Sequence, residues 1–139
     1  MQKAYIDSNV FISMIMEEIG KGPRLLFKEA EEFFLNSKGR FVLVFSDFAL
    51  SEIFNHAKCS KSDIISFFAE RKISAEFFES SKEDGIKALE IKKLGIHWSD
   101  AFHAAIALRA KCDFIVSFNV KDFAPAGKLI RTFQPLELF

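Results

Sequence analysis

The sequence predicts an α/β domain, a three-layer α/β/α sandwich around a central parallel sheet of about five strands. Short unbroken apolar runs with branched and aromatic residues recur at Ala4–Ile6, Phe41–Phe45 and Phe114–Ser117. Segments with helical spacing of apolar residues separate them, and strands alternating with helices imply a parallel sheet covered on both faces. No long linker, repeat or low-complexity stretch breaks the alternation, so residues 1–139 read as one domain.

Ala4 to Ile6 reads as a buried strand. Asn9 to about Glu18 reads as a helix stopped by Gly20 and Gly22. Pro23 suits a first helical turn, and Leu26, Ala30, Phe33 and Phe34 carry the next helix to Asn36, Ser37 and Gly39. After the strand at Phe41–Phe45, Ser46 or Asp47 caps a helix that turns Leu50, Ile53 and Phe54 inward. Ser60 or Ser62 opens another, with Ile64, Ile65, Phe67 and Phe68. Ile73 to Phe77 reads as a strand. Ser81 and Asp84 have the spacing of a capping box before Ile86, Leu89 and Leu94, and Gly95 closes that helix. Ser99 is the expected cap for Asp100 to Ala110. Phe114 to Ser117 is a buried strand, and Leu129–Ile130 with Pro135 to Leu138 is expected to add an edge strand.

Half of the residues are hydrophobic, enough for one real core. Lysine plus arginine and aspartate plus glutamate balance at 19 each, so net charge does not imply a polyanionic partner. Basic residues cluster late (Lys82, Lys87, Lys92, Lys93, Arg109, Lys111, Lys121, Lys128, Arg131) and read mainly as solvated helix faces. Cys59 and Cys112 make neither a disulfide framework nor a zinc spacing; Cys112 reads as a small core residue. A reducing, cytoplasmic home is the expectation, with no export signal and no membrane span.

Four acidic residues stand at the ends of apolar elements: Asp7, Glu52, Asp100 and Asp122. In an open parallel sheet the site lies beyond the carboxyl ends of the strands. Asp7 and the segment from Ser117 to Asp122 fall there; the place of Asp100 depends on the tertiary fold. Two carboxylates about 5 Å apart repel by roughly 3 kcal/mol at an effective dielectric near 20. Several together force protonation unless a cation joins them. Hard divalent ions such as Mg2+ or Mn2+ prefer oxygen ligands, and they can activate water and offset charge growing on a phosphoryl oxygen. An acidic quartet therefore favours metal-assisted phosphodiester cleavage.

Tyr5-Ile6-Asp7-Ser8-Asn9-Val10-Phe11-Ile12 resembles the opening motif of the PIN-domain nucleases. Leu50-Ser51-Glu52-Ile53 resembles their second acidic site, and the stretch from Ser99-Asp100-Ala101 to Ala107 their third. Phe114 to Phe123 is similar to the closing stretch, where a hydroxyl residue ends a strand before an acidic turn. The match spans nearly the whole chain in order and spacing. It implies Asp7, Glu52 and Asp100 as metal-site residues, with Ser117 orienting the cluster through its hydroxyl. Many members carry aspartate where this chain has Asn119, so either Asp122 stands in for the fourth acid or three carboxylates suffice. The resemblance further implies an Mg2+- or Mn2+-dependent endoribonuclease that leaves a 5′ phosphate. A chain this small resembles the VapC-type toxin of a toxin–antitoxin pair. That implies a small VapB-like antitoxin, an RNA substrate and a homodimer with two sites along a basic groove.

His56 follows Glu52 by four residues and His103 follows Asp100 by three, so each shares a helical face with an acid. Zinc ligation would need a third convergent ligand. His103 therefore reads as a hydrogen-bonded residue at the core edge and His97 as solvated; a base role for His56 has no support in the sequence. The 18 phenylalanines, with doublets at 33–34, 67–68 and 77–78, read as core or subunit interface rather than base-stacking surface. Two other functions compete. One is a catalytically weak or inactive PIN-fold module that binds RNA or protein, motivated by the uncharged Asn119. The other is a phosphoryl-transfer enzyme with an aspartyl nucleophile; Asn9, where such enzymes place a second acid, argues against it.

Overall fold

The computed structural model describes residues 1–20 and 22–139. Five short strands, β1 (Gln2–Ile6), β2 (Phe41–Ser46), β3 (Ala75–Phe78), β4 (Phe114–Val116) and β5 (Arg131–Phe133), form one all-parallel sheet in the order β3-β2-β1-β4-β5. Around it lie α1 (Ser8–Ile15), α2 (Leu26–Asn36), α3 (Asp47–Ala57), α4 (Lys61–Glu70), α5 (Lys82–Lys92), α6 (Trp98–Arg109) and the single turn α7 (Val120–Phe123).

Side-chain alternation along the strands builds two cores. Ala4, Ile6, Leu43, Phe45, Phe114 and Val116 face one layer, where Phe11 of α1, Phe33 and Phe34 of α2, Ile53 of α3 and Phe68 of α4 pack. Tyr5, Val44 and Ile115 face the other, against Ala88 and Ile91 of α5 and the alanine-rich side of α6. The phenylalanines are mainly core: Phe11 alone meets Phe34, Phe45, Phe67 and Phe68, with ring centroids 5.6–6.2 Å apart. Small alanines let α6 lie close to the sheet, which brings its first turn to the carboxyl ends of the strands.

Local signals explain the element ends. Ser46 caps α3 by accepting the Ala49 N–H at 3.0 Å. Ser60 and Asp63 cap α4 reciprocally, and Asp84 accepts the Ser81 N–H at the start of α5. Gly39 and Gly95 adopt left-handed backbone (φ 76° and 96°) after helices, a conformation that costs a side chain dearly.

Several expectations are corrected. The first helix starts at Ser8 and ends at Ile15, before its glycine stops; Pro23 lies in a turn before α2. Phe54 is 51% exposed and does not face inward. On α5 the buried stripe is Ala88 and Ile91, which leaves Ile86, Leu89 and Leu94 exposed. α6 begins at Trp98 with His97, not Ser99, at its cap position. The edge strand is Arg131–Phe133; Pro135–Leu138 forms a 3-10 turn, since proline at its start favours helical φ. Arg109 is no mere solvated cation. It pairs with Asp84 through two hydrogen bonds of 2.8 and 3.0 Å and ties α6 to α5. Cys112 is half-buried, and burial pushes its thiol up to about 12. Among the described residues no helix is long and apolar enough to cross a membrane.

Candidate active site

The strand order reverses direction around β1. The chain passes from β1 to β2 on one side and later returns to β4 on the other. Loops leaving β1 and β4 therefore diverge, opening a crevice at their carboxyl ends. Asp7 leaves β1 there. Its backbone N–H continues the ladder to the Val116 carbonyl at 3.0 Å. It occupies the cap position of α1, yet its side chain makes no capping bond. Instead Asp7 Oδ2 accepts the Ser117 hydroxyl at 2.7 Å, and the residue is only 5% exposed.

Ser117, at the end of β4, is the hub of this loop pair. Its Oγ accepts the Asn119 N–H at 2.9 Å and the Asn9 side-chain amide at 3.2 Å while donating to Asp7. Asn9 Oδ1 in turn accepts the Phe118 N–H at 3.3 Å. The hydroxyl thus has every hydrogen-bonding role filled, which fixes the Asp7 carboxylate against rotation.

Glu52 sits in the second turn of α3, half-buried. Its Oε1 accepts Ser8 Oγ at 3.0 Å and approaches His103 Nε2 at 2.7 Å. His103, fully buried on α6, also lies 3.6 Å from Asp7 Oδ1. Ligand-type atoms of Asp7, Glu52 and His103 all fall within 4.8 Å of one another. Asp100 and Asp122 are outside that tight group; Asp100 acts electrostatically on His103, and Asp122 acts on Asp100. Asp100 is half-buried in the first turn of α6; Asp122 is exposed on α7. Asn119 is exposed and lines a shallow groove with Asp122 and Gln134. His56 bonds to the Glu52 carbonyl on its own helix at 2.9 Å, and His97 is exposed.

The electrostatics are those of crowded anions. Burial raises Asp7 above the ordinary carboxyl range, opposed by His103 and the Ser117 hydrogen bond. Burial, then the charges of Asp7 and Asp122, push Asp100 up to about 6. Burial also pushes on Glu52, but the hydrogen bonds and charge from His103 and Ser8 outweigh it and hold Glu52 below its ordinary value. Burial disfavours the His103 cation, yet Glu52, Asp7 and Asp100 together raise it. One imidazole, neutral or protonated, cannot balance three carboxylates. The remaining oxygen-rich negative charge fits a hard divalent cation.

Sequence reasoning named Asp7, Glu52, Asp100 and Ser117 and missed how central His103, Tyr5 and Ser8 are. The three-residue spacing of Asp100 and His103 was the available signal, and a tyrosine hydroxyl in an otherwise apolar strand was another.

Residues 4–129 match the family model described as the PIN domain. No curated protein matches the sequence. Among solved structures, a toxin–antitoxin complex from Klebsiella pneumoniae superposes with a TM-score of 0.64 at 16% identity, covering 95% of this chain and 97% of that one. VapBC-1 from nontypeable Haemophilus influenzae gives 0.62 at 17% identity, covering 97% and 99%. VapC20 of Mycobacterium tuberculosis, a toxin that cleaves the sarcin-ricin loop, gives 0.60 at 17%, covering 89% and 95%. At these identities the likeness is one of fold.

Proposed function

The chain belongs to the PIN-domain family, and from that membership and the carboxylate pocket we propose a metal-dependent endoribonuclease, the toxin half of a toxin–antitoxin pair. The observation that carries this reading is the convergence of Asp7 and Glu52 at the β1/β4 crevice, with Asp100 near enough that the charge of Asp7 adds to burial in pushing it up to about 6. So costly a grouping is a feature of function rather than of stability.

Asp7 and Asp100 would hold Mg2+ or Mn2+, with Glu52 beside them. When bound, such a cation supplies positive charge for the carboxylates and the developing phosphoryl charge, and acidifies nearby water. The chain does the rest. Ser117 holds Asp7 in one orientation. Glu52, kept ionised by His103 and Ser8, accepts the proton of the attacking water. Water oxygen bonds to phosphorus as the bond to O3′ breaks; the leaving oxygen takes a proton, giving 3′-hydroxyl and 5′-phosphate ends. Asp122 adds negative charge at the rim.

The relatives in solved complexes are bound to antitoxins. By that likeness the partner is a small VapB-like protein that covers the acidic crevice, with a homodimer of this chain as the core of the assembly and the cytoplasm as its place. The test is incubation of purified chain with total RNA and Mg2+ or Mn2+, followed by end analysis. Cleavage to 5′-phosphate ends, abolished by EDTA and by Asp7→Asn, is expected. RNA binding with no cutting under either metal would replace this reading with the inactive binding module.

A further inference from the structure

Glu52 is held from one side only. Its Oε1 meets both Ser8 Oγ and His103 Nε2, while Oε2 accepts no hydrogen bond among the described residues. Behind the imidazole, His103 Nδ1 contacts the Tyr5 hydroxyl at 2.5 Å, and that hydroxyl contacts Ser46 Oγ at 2.8 Å. Ser46 Oγ accepts the Ala49 N–H as the cap of α3. The chain of bonds therefore starts at the cap of α3, crosses β1 and α6, and returns to α3 at Glu52. Tyr5, Ser46 and His103 are all buried. The Phe48 ring, 4.8 Å from the imidazole centroid, packs beside it.

An ionised Glu52 Oε1 can only accept, so Nε2 carries a proton, and with a neutral imidazole the rest of the circuit runs one way. Ala49 N–H donates to Ser46, Ser46 O–H to Tyr5, Tyr5 O–H to Nδ1, and Nε2–H to Glu52 Oε1. Each contact then carries one proton and no buried polar atom of the circuit is left without a partner. If Nδ1 is also protonated, it donates to Tyr5 and Nε2–H still donates to Glu52. In either state the Nε2 lone pair is not open to a metal. The 2.7 Å spacing is that of a hydrogen bond to an ionised acceptor. A phenylalanine would fill the Tyr5 position without the cost of burying a hydroxyl, so the hydroxyl marks a requirement beyond packing.

We infer that His103, held by Tyr5 and Ser46, is a positioning residue that fixes Glu52 through Oε1 and leaves Oε2 to take the proton of the attacking water. His103 is not a metal ligand, although it stands among ligand-type atoms. The catalytic half of this inference rests on the ribonuclease reading.

Two measurements on the full chain test it. In 15N–1H imidazole spectra of the metal-free protein, His103 should show a protonated Nε2 that persists on saturation with Mg2+ alone. Loss of that proton when Mg2+ is added would make His103 a ligand and overturn the inference. In cleavage assays Tyr5→Phe should lower kcat by about tenfold, with the KM for RNA and the Mn2+ affinity within about twofold, the behaviour of an outer-shell partner. His103→Leu should lose about a hundredfold, and His103→Gln, whose amide can still donate to Glu52, should recover most of that loss. A Tyr5→Phe chain as active as the parent, or Gln and Leu variants with equal losses of Mn2+ affinity, would overturn it. A parent chain that cuts no RNA yet keeps the Nε2–H signal removes the nuclease reading and the catalytic half together. A parent chain that cuts RNA with an unprotonated Nε2 removes this inference alone.

Discussion

Ser117 Oγ lies 2.7 Å from Asp7 Oδ2, a bond between residues 110 positions apart that joins the ends of β4 and β1. It is the point where the two diverging loops of the sheet are stitched together. With the Asn9 bonds to Ser117 and Phe118, it joins the first and last acidic motifs of the chain into one site.

Removing that hydroxyl should therefore be felt in both stability and activity. Ser117→Ala strands the Asn119 N–H and leaves Asp7 without its fixed donor. We expect a loss of about 1–3 kcal/mol in urea unfolding. Cleavage should fall by about tenfold or more, as for a lost supporting hydrogen bond at a metal site.

Asp7→Asn and Asp100→Asn should have opposite effects on the two properties. Each removes a crowded anion whose proton affinity the fold has raised. Cleavage should drop by about a hundredfold or more, while the metal-free chain melts at a higher temperature than the parent. Thermal melts in EDTA beside cleavage assays in Mn2+ check both. Two variants that cut RNA at the parent rate would show that the metal site lies elsewhere.

The pH dependence of that gain is set by Asp100, raised from 3.8 to about 6. Below about pH 4 the carboxyl is protonated whether the chain is folded or not. As pH rises towards 6, the unfolded chain ionises first and the folded state loses relative stability; above 6 the deficit is constant. Asp100 is half-exposed, so solvent screening keeps the effect modest. The melting-temperature difference between Asp100→Asn and the parent, both metal-free, should grow from pH 4 to 6 and then level. Mg2+ above pH 6 should shrink it by stabilising the parent alone.

Asn119→Asp tests the fourth acidic position. The side chain is exposed beside Asp122 in the groove next to the site. Added charge should tighten Mn2+ binding a few-fold, the scale of one further carboxylate acting through high dielectric. Isothermal titration reads it directly, and unchanged affinity would place position 119 outside the cluster.

The sheet was legible because burial on both faces leaves unbroken apolar runs, as at Phe41–Phe45, and the sandwich followed from the alternation with helices. The Ser81 box was legible because capping is satisfied within three residues. Phe54 was misread as inward because it shares the helical neighbourhood of Leu50 and Ile53, while only the fold decides which side of α3 meets the sheet.

By itself the sequence determined which side chains carry the charge: Asp7 follows the first strand, Glu52 rides the helix after the second and Asp100 opens a helix, placements written in local residue order. Only the tertiary structure decided how those charges are partnered. Tyr5, Ser46 and His103 lie 41 to 98 residues apart, and their bonds form solely because parallel strands and α6 bring them into one dry layer. A hydroxyl or imidazole has no fixed meaning in sequence, since its role is set by whichever atom the fold places within 3 Å of it.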